Sequence, residues 1–190
     1  PLIVIDPSKS ADAARGTVCD ALVEGIDLAP TFIEYFGGTP PDHILEGRSL
    51  QSWLHGKAPA DWRKVVFSEY DYSMQDVRLK LNQPIEQCRL LMVFDGRWKY
   101  VHASGFRPML YDLAEDPQEL IDRGDDPACA GVIERLRAQL FEWALHPKGH
   151  ITTSNEKISA YANNQLQVRR GILIGIWDEK ELAAIRARLT

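Results

Sequence analysis

The side chains able to do chemistry are few in this sequence and stand far apart. His102 and Arg107 flank the Ser104-Gly105 break at the end of an alternating segment. An arginine there could grip an oxyanion with its two-pronged guanidinium, and the imidazole beside it could donate or accept a proton. Both are candidates for touching a small anionic substrate. Asp42-His43 has the residue types of a metal-ligand pair. It follows Pro40-Pro41 in a loop and lacks the preceding apolar strand that would aim it. His146 and His150 have helical i, i+4 spacing, but Pro147 and Gly149 lie between them and break the helix that would bring them together. No Gly-x-Ser-x-Gly elbow and no phosphate-cradling glycine loop occurs. The three cysteines, Cys19, Cys88 and Cys129, are odd in number and widely spaced. They suit free thiols in a reducing, cytoplasmic setting better than a disulfide framework. No catalytic residue and no metal site is expected within this chain.

The elements around these residues are clearer. Residues 90–94 form an apolar run that turns on Asp95-Gly96, and Asp-Gly between two such runs signals a hairpin with a type I′ turn. The return strand alternates, with Trp98, Tyr100 and His102 on one face and Arg97, Lys99 and Val101 on the other. A third run covers residues 109–113, and Asp116-Pro117 ends it. Residues 65–70 supply a fourth strand, and residues 73–86 are polar enough to read as a loop. Asp126-Pro127 starts a helix whose stripe is Ile133, Leu136, Leu140 and Ala144, with Trp143 beside it; it should cover the apolar face of the meander.

Upstream, residues 2–5 and 18–23 read as strands. Asp27 should cap a helix reaching Phe36, stopped by Gly37-Gly38, and Ser49 should cap a short helix ended by Gly56. Downstream of residue 149 the sequence is polar, then strongly apolar over residues 171–177. Asp178 and Glu181 then make a capping box ahead of Leu182, Ile185 and Leu189. A polar arm with an apolar plug and a terminal helix suits contact with another subunit.

Composition bounds the class. At 45% hydrophobic and 26% charged the chain has ordinary globular content, and a net charge of −5 leaves no electrostatic footprint for nucleic acid. No run reaches the roughly 18 apolar residues of a membrane span. Neither nucleic acid nor membrane is expected as a partner.

The stretch Leu110-Tyr111-Asp112-Leu113-x-x-Asp116-Pro117-x-Glu119, following the Trp-Lys-Tyr strand, resembles the carboxy-terminal subdomain of the sulfatases of the alkaline phosphatase superfamily. Phosphonate monoester hydrolases are close relatives of these enzymes. Residues 23–32, with Asp27-x-x-Pro30-Thr31, resemble the family's strand-to-helix segment. The Leu2-Ile3-Val4 run is similar to an edge strand of the family's large catalytic sheet. The resemblance implies an α+β fold in three parts. Residues 1–60 are a remnant of a large α/β sheet, residues 61–148 a small antiparallel sheet of about four strands on one helix, and residues 149–190 an arm.

It further implies a parent hydrolase of sulfate, phosphonate or phosphate esters, dependent on a formylglycine and a divalent metal (Mn, Ca or Mg). None of the three cysteines stands in the Cys-x-Pro-x-Arg context from which such a formylglycine is made. Asp42-His43 also falls after the Asp27 block, whereas the family's metal pair precedes it. The chain is thus expected to be an excised, inactive fragment giving scaffold, pocket wall and homo-oligomer contacts, with the small ester as the parent's substrate. A non-catalytic oligomerisation module carried by residues 150–190 is the alternative.

Overall fold

The computed structural model describes residues 2–146 and two short strands, Val168–Arg169 and Ile172–Leu173. The chain divides into two compact units, residues 1–40 with 46–146 and residues 41–45 with 147–190.

The first unit is built on a four-stranded antiparallel sheet of β1 (Val66–Asp71), β2 (Arg89–Phe94), β3 (Trp98–Ala103) and β4 (Met109–Asp112), ordered β1-β2-β3-β4. The register pairs Val93 with both Phe67 and Tyr100, and Tyr100 with Leu110, so one face carries a continuous apolar row. Helix α4 (Ala130–Leu145) lies on that row. Val93, Tyr100, Leu110, Leu136 and Leu140 form the buried core, with Cys129 at its end. The expected mixed α+β architecture, a small antiparallel sheet on one helix, is what the chain adopts.

Three details depart from the sequence reading. The β2–β3 turn is not type I′. Gly96 has φ of +94°, but Asp95 is not in the left-handed region. Asp95 instead uses its carboxylate, which accepts the amides of Arg97 (3.0 Å) and Trp98 (2.7 Å). A short polar side chain able to bond its own backbone two residues on substitutes for the second left-handed residue. On α4, Trp143 rather than Ala144 completes the buried stripe; its ring stacks on Phe67 at 5.0 Å between centroids, and Ala144 is exposed. Between β1 and β2, residues 73–86 are not irregular: they hold α3 (Asp76–Leu81), closed by Asn82 at φ of +51°.

The upstream part holds α1 (Leu28–Tyr35) and α2 (Gln51–Leu54). Helix α1 ends in a Schellman arrangement: Gly37 at φ of +79° lets Gly38 donate to the Ile33 carbonyl (2.8 Å) and Gly37 to that of Glu34 (2.9 Å). Ser49 accepts the Gln51 amide (3.3 Å), and Gly56 at φ of +71° closes α2. The strands expected over residues 2–5 and 18–23 are absent. Both segments are without ladder partners, and Ile3, Ile5 and Val18 are more than 80% exposed. A strand exists only with a neighbour to bond, and these runs have none among the described residues.

The second unit shows a turn at residues 41–45, where Pro41 accepts the amides of Ile44 (3.0 Å) and Leu45 (2.9 Å). It also shows a hairpin of β5 (Val168–Arg169) with β6 (Ile172–Leu173). His150, the capping box at Asp178 and the terminal helix lie outside the described residues. No described helix is long and apolar enough to cross a membrane.

Candidate functional site

His102 sits near the end of β3 opposite Leu91, exposed, and its ring makes no hydrogen bond among the described residues. Arg107, in the β3–β4 loop, is already engaged. Its Nη1 lies 2.7 Å from Asp122 and its Nε 3.3 Å from Asp125, and the Asp122 carboxylate raises the guanidinium's pKa. Asp122 also accepts the amides of Leu110 (3.1 Å) and Gly124 (2.8 Å). The Arg123 amide donates to the Leu110 carbonyl (2.7 Å), so residues 122–124 seal the free edge of β4. Arg107 thus buttresses a sheet edge with its fork on carboxylates, and it is not brought together with His102 as an anion grip. The signal for this was in the sequence: Asp122-Arg123-Gly124-Asp125-Asp126 places acidic partners soon after β4.

A second cluster gathers residues far apart in sequence. Asp6 is buried; its Oδ1 accepts the Ser8 amide (2.8 Å), and its Oδ2 lies 3.1 Å from His55 Nε2. Ser10 Oγ is 3.3 Å from the same Nε2 and 2.7 Å from Ser8 Oγ. The residue types are those of a Ser-His-Asp triad, but the geometry is not. A relay needs the carboxylate and the hydroxyl on opposite ring nitrogens, so that one nitrogen donates while the other accepts. Here both sit on Nε2, which donates to the carboxylate and cannot at once serve as base for Ser10. Arg15 finishes the knot by donating to the carbonyls of Asp6 (3.0 Å) and Ser8 (2.9 Å). The cluster pins residues 6–16 to the end of α2. Asp6 is held below its ordinary pKa, chiefly by the Ser8 amide.

The third cluster is the most buried. Asp27 is fully buried, and Arg63 grips both its oxygens, with Nη2 2.5 Å from Oδ1. The Asp27 carboxylate also accepts the amides of Arg48 (2.8 Å) and Glu24 (2.8 Å). Glu24 lies 3.4 Å from Arg63 and accepts the Phe67 amide of β1 (2.9 Å). Contrary to the expectation from sequence, Asp27 does not cap α1 with its side chain. It makes a capping box with Glu24 on the 3-10 turn Gly25–Asp27, while Thr31 bonds the Asp27 carbonyl (2.6 Å). Burial works to raise the Asp27 pKa, and the Arg63 hydrogen bonds with the two amides outweigh it, so the group stays an anion. This hub ties α1, the Gly47-Arg48 loop and β1 together. Sequence reasoning missed Arg63, which stands between Trp62 and Lys64, 36 residues from its partner.

Among the described residues the donor set does not fit a divalent metal. Among the described residues no three His, Cys, Asp or Glu side chains converge. His43 Nδ1 lies 3.8 Å from an exposed Asp42, and Asp27 is saturated by Arg63 and amides. Cys19 is exposed, while Cys88 and Cys129 are buried free thiols; burial raises the Cys129 pKa, which disfavours a thiolate nucleophile. The three clusters hold loops and edges in place.

The chain is similar to known proteins over most of its described residues. The family model described as N-sulphoglucosamine sulphohydrolase, C-terminal, matches residues 1–145. The chain is 31% identical to the multifunctional alkaline phosphatase superfamily protein PehA of Trinickia caryophylli, over 76% of this chain and 28% of the relative. It is 30% identical to an N-acetylglucosamine-6-O-sulfatase of Bacteroides thetaiotaomicron, over 63% of this chain and 20% of that enzyme. In structure it is similar to the phosphonate monoester hydrolase SpPMH of Silicibacter pomeroyi, with a TM-score of 0.66 and 29% identity over 75% of this chain and 29% of that one. The chain spans less than a third of the length of each of these relatives. A four-stranded meander under one helix, the Asp27 block before it and the match over residues 1–145 together make this chain a member of the N-sulphoglucosamine sulphohydrolase C-terminal family, the carboxy-terminal part shared by sulfatases and phosphonate monoester hydrolases.

Proposed function

We propose that this chain is the carboxy-terminal part of a metal-dependent hydrolase of sulfate, phosphonate or phosphate esters, and that it serves there as scaffold and pocket wall. The observation that carries this reading is the match of residues 1–145 to the carboxy-terminal family model. The nucleophile, a formylglycine on this reading, and the metal ligands belong to the upstream part of the parent, the region of its relatives that this chain does not span.

The exposed apolar segment at residues 2–5, together with Ile26, Phe32 and Phe36 around α1, is where that upstream part packs. His102 is the residue of this chain that best suits contact with the ester substrate, because its ring is exposed on a rigid strand and unclaimed by a described neighbour. Arg107 contributes by holding the loop beside it. The parent works as a homo-oligomer in the cytoplasm, with residues 150–190 supplying subunit contacts. The free cysteines support that compartment.

Incubating the chain with an aryl sulfate and an aryl phosphonate in the presence of Mn²⁺ or Ca²⁺ is expected to give no turnover above background. The parent carrying the upstream part is expected to cleave at least one of the two. Clear turnover by the 190-residue chain, or none by the parent with either ester, overturns the reading.

A further inference from the structure

The loop that follows β3 is short and pinned at three points. The Phe106 amide donates to the Ala103 carbonyl (3.1 Å) and closes the turn. Gln83, from the segment between β1 and β2, donates its side-chain amide to the Ser104 carbonyl (3.1 Å). Arg107 anchors the far end, 2.7 Å from Asp122 and 3.3 Å from Asp125. A loop fixed in this way on a rigid sheet presents a binding side chain with little ordering left to do when a ligand arrives. The side chain it presents is Phe106, four residues past His102 and 47% exposed.

Charge narrows what can rest against it. His102 stands opposite Leu91 of β2, a half-buried apolar neighbour. Arg89, two residues from Leu91 and on the same face of β2, is paired with Glu69, and Arg107 is held by its two carboxylates. Both guanidiniums are thus already neutralised. A charged alcohol group finds no spare counter-charge in them, whereas an uncharged aromatic one finds an aromatic face and an imidazole. We propose that Phe106 is a specificity-determining residue of the parent hydrolase. It packs on the alcohol portion of the ester and favours an uncharged aromatic alcohol over a small aliphatic or a charged one. The proposal rests on the pocket-wall reading above, and the acid portion of the ester is left to the upstream part.

Steady-state kinetics of the parent on a phenyl and a methyl monoester of the same acid test it. Phe106→Ala should raise KM for the phenyl ester about tenfold. It should change kcat by less than about twofold and leave KM for the methyl ester in place, the pattern of lost ground-state binding. Phe106→Trp should restore the phenyl KM, which a merely structural role for the side chain would not do. Phe106→Arg should shift preference from the phenyl ester toward a carboxylate-bearing phenyl ester of that acid. An unchanged phenyl KM in Phe106→Ala overturns the proposal, as does an equal rise for both esters, or a Trp variant no better than Ala. Cleavage that is indifferent to Phe106 defeats this proposal alone and leaves the hydrolase reading standing. A parent that cleaves no ester of either acid class defeats both.

Discussion

At the scale of single residues, Asp27 and Arg63 decide most. The pair is buried, and each partner is affordable in the interior only because the other is present. Arg63→Met should cost about 3–5 kcal/mol in urea unfolding, because it strands a carboxylate with only amides for company. The pH dependence follows from the depressed Asp27 pKa. The unfolded chain takes up this proton near pH 3.9 and the folded chain only below that. The stabilisation is therefore complete above about pH 5 and falls as pH drops through 4 toward the folded value. The stability gap between the native chain and Asp27→Asn should accordingly be widest at pH 7 and shrink measurably by pH 3.5. A gap that stays constant across that range would exclude the ionised pair as its source. Gly47 is a second single-residue constraint: a Cβ there would overlap the Ile26 carbonyl oxygen and the Asp27 amide nitrogen. Gly47→Ala should unfold the α1 block or lower the melting temperature sharply, whereas Gly131→Ala, with open space around it, should leave the chain at least as stable.

At the scale of elements, the sheet and α4 form a unit whose pattern was readable and whose details were not. The alternation of β3 and the stripe of α4 identify their buried faces because periodicity maps directly onto geometry. The sequence reading puts Ala144 on the stripe and Trp143 beside it, since both lie near its edge. Phe67 decides for Trp143 by offering a ring to stack on. Leu136→Ala should cost about 2–5 kcal/mol, since Leu136 is fully buried against β2 and β3. Trp143→Ala should cost well over 1 kcal/mol, while Ala144→Ser should stay within about 0.5 kcal/mol; reversed costs at these two positions, measured by denaturant unfolding, would contradict the packing. The β2–β3 turn teaches the same lesson. Asp-Gly announces a hairpin, but which turn forms depends on whether the aspartate adopts positive φ or spends its carboxylate on nearby amides. Here Arg135 of α4 also holds that carboxylate (2.7 Å), an interaction 40 residues distant in sequence.

At the scale of the whole molecule, the described residues combine a small buried core with an upstream segment rich in exposed apolar side chains. Leu2, Ile3, Val4, Ile5, Val18, Ile26, Phe32 and Phe36 are each more than a third exposed. Exposed apolar side chains at so many positions are what the packing surface proposed above requires. The chain should bind the dye ANS at neutral pH, and Ile3→Asp with Phe36→Ser should reduce that signal while changing its unfolding free energy by less than about 1 kcal/mol. A large loss of stability would mean that these side chains are buried in solution.

By itself, the sequence determined the family, the antiparallel meander, its covering helix and the absence of a formylglycine motif. All of these are written in local spacing, in turn residues and in short-range periodicity. Tertiary structure alone decided that Arg63 reaches Asp27, that His55 meets Asp6 through the nitrogen Ser10 also contacts, and that Arg107 is spent on Asp122. Each of those outcomes joins side chains through space across a stretch of sequence that carries no record of their distance. It also decided that residues 2–5 are not a strand here, because a strand is a property of a pair and no second member stands beside them among the described residues.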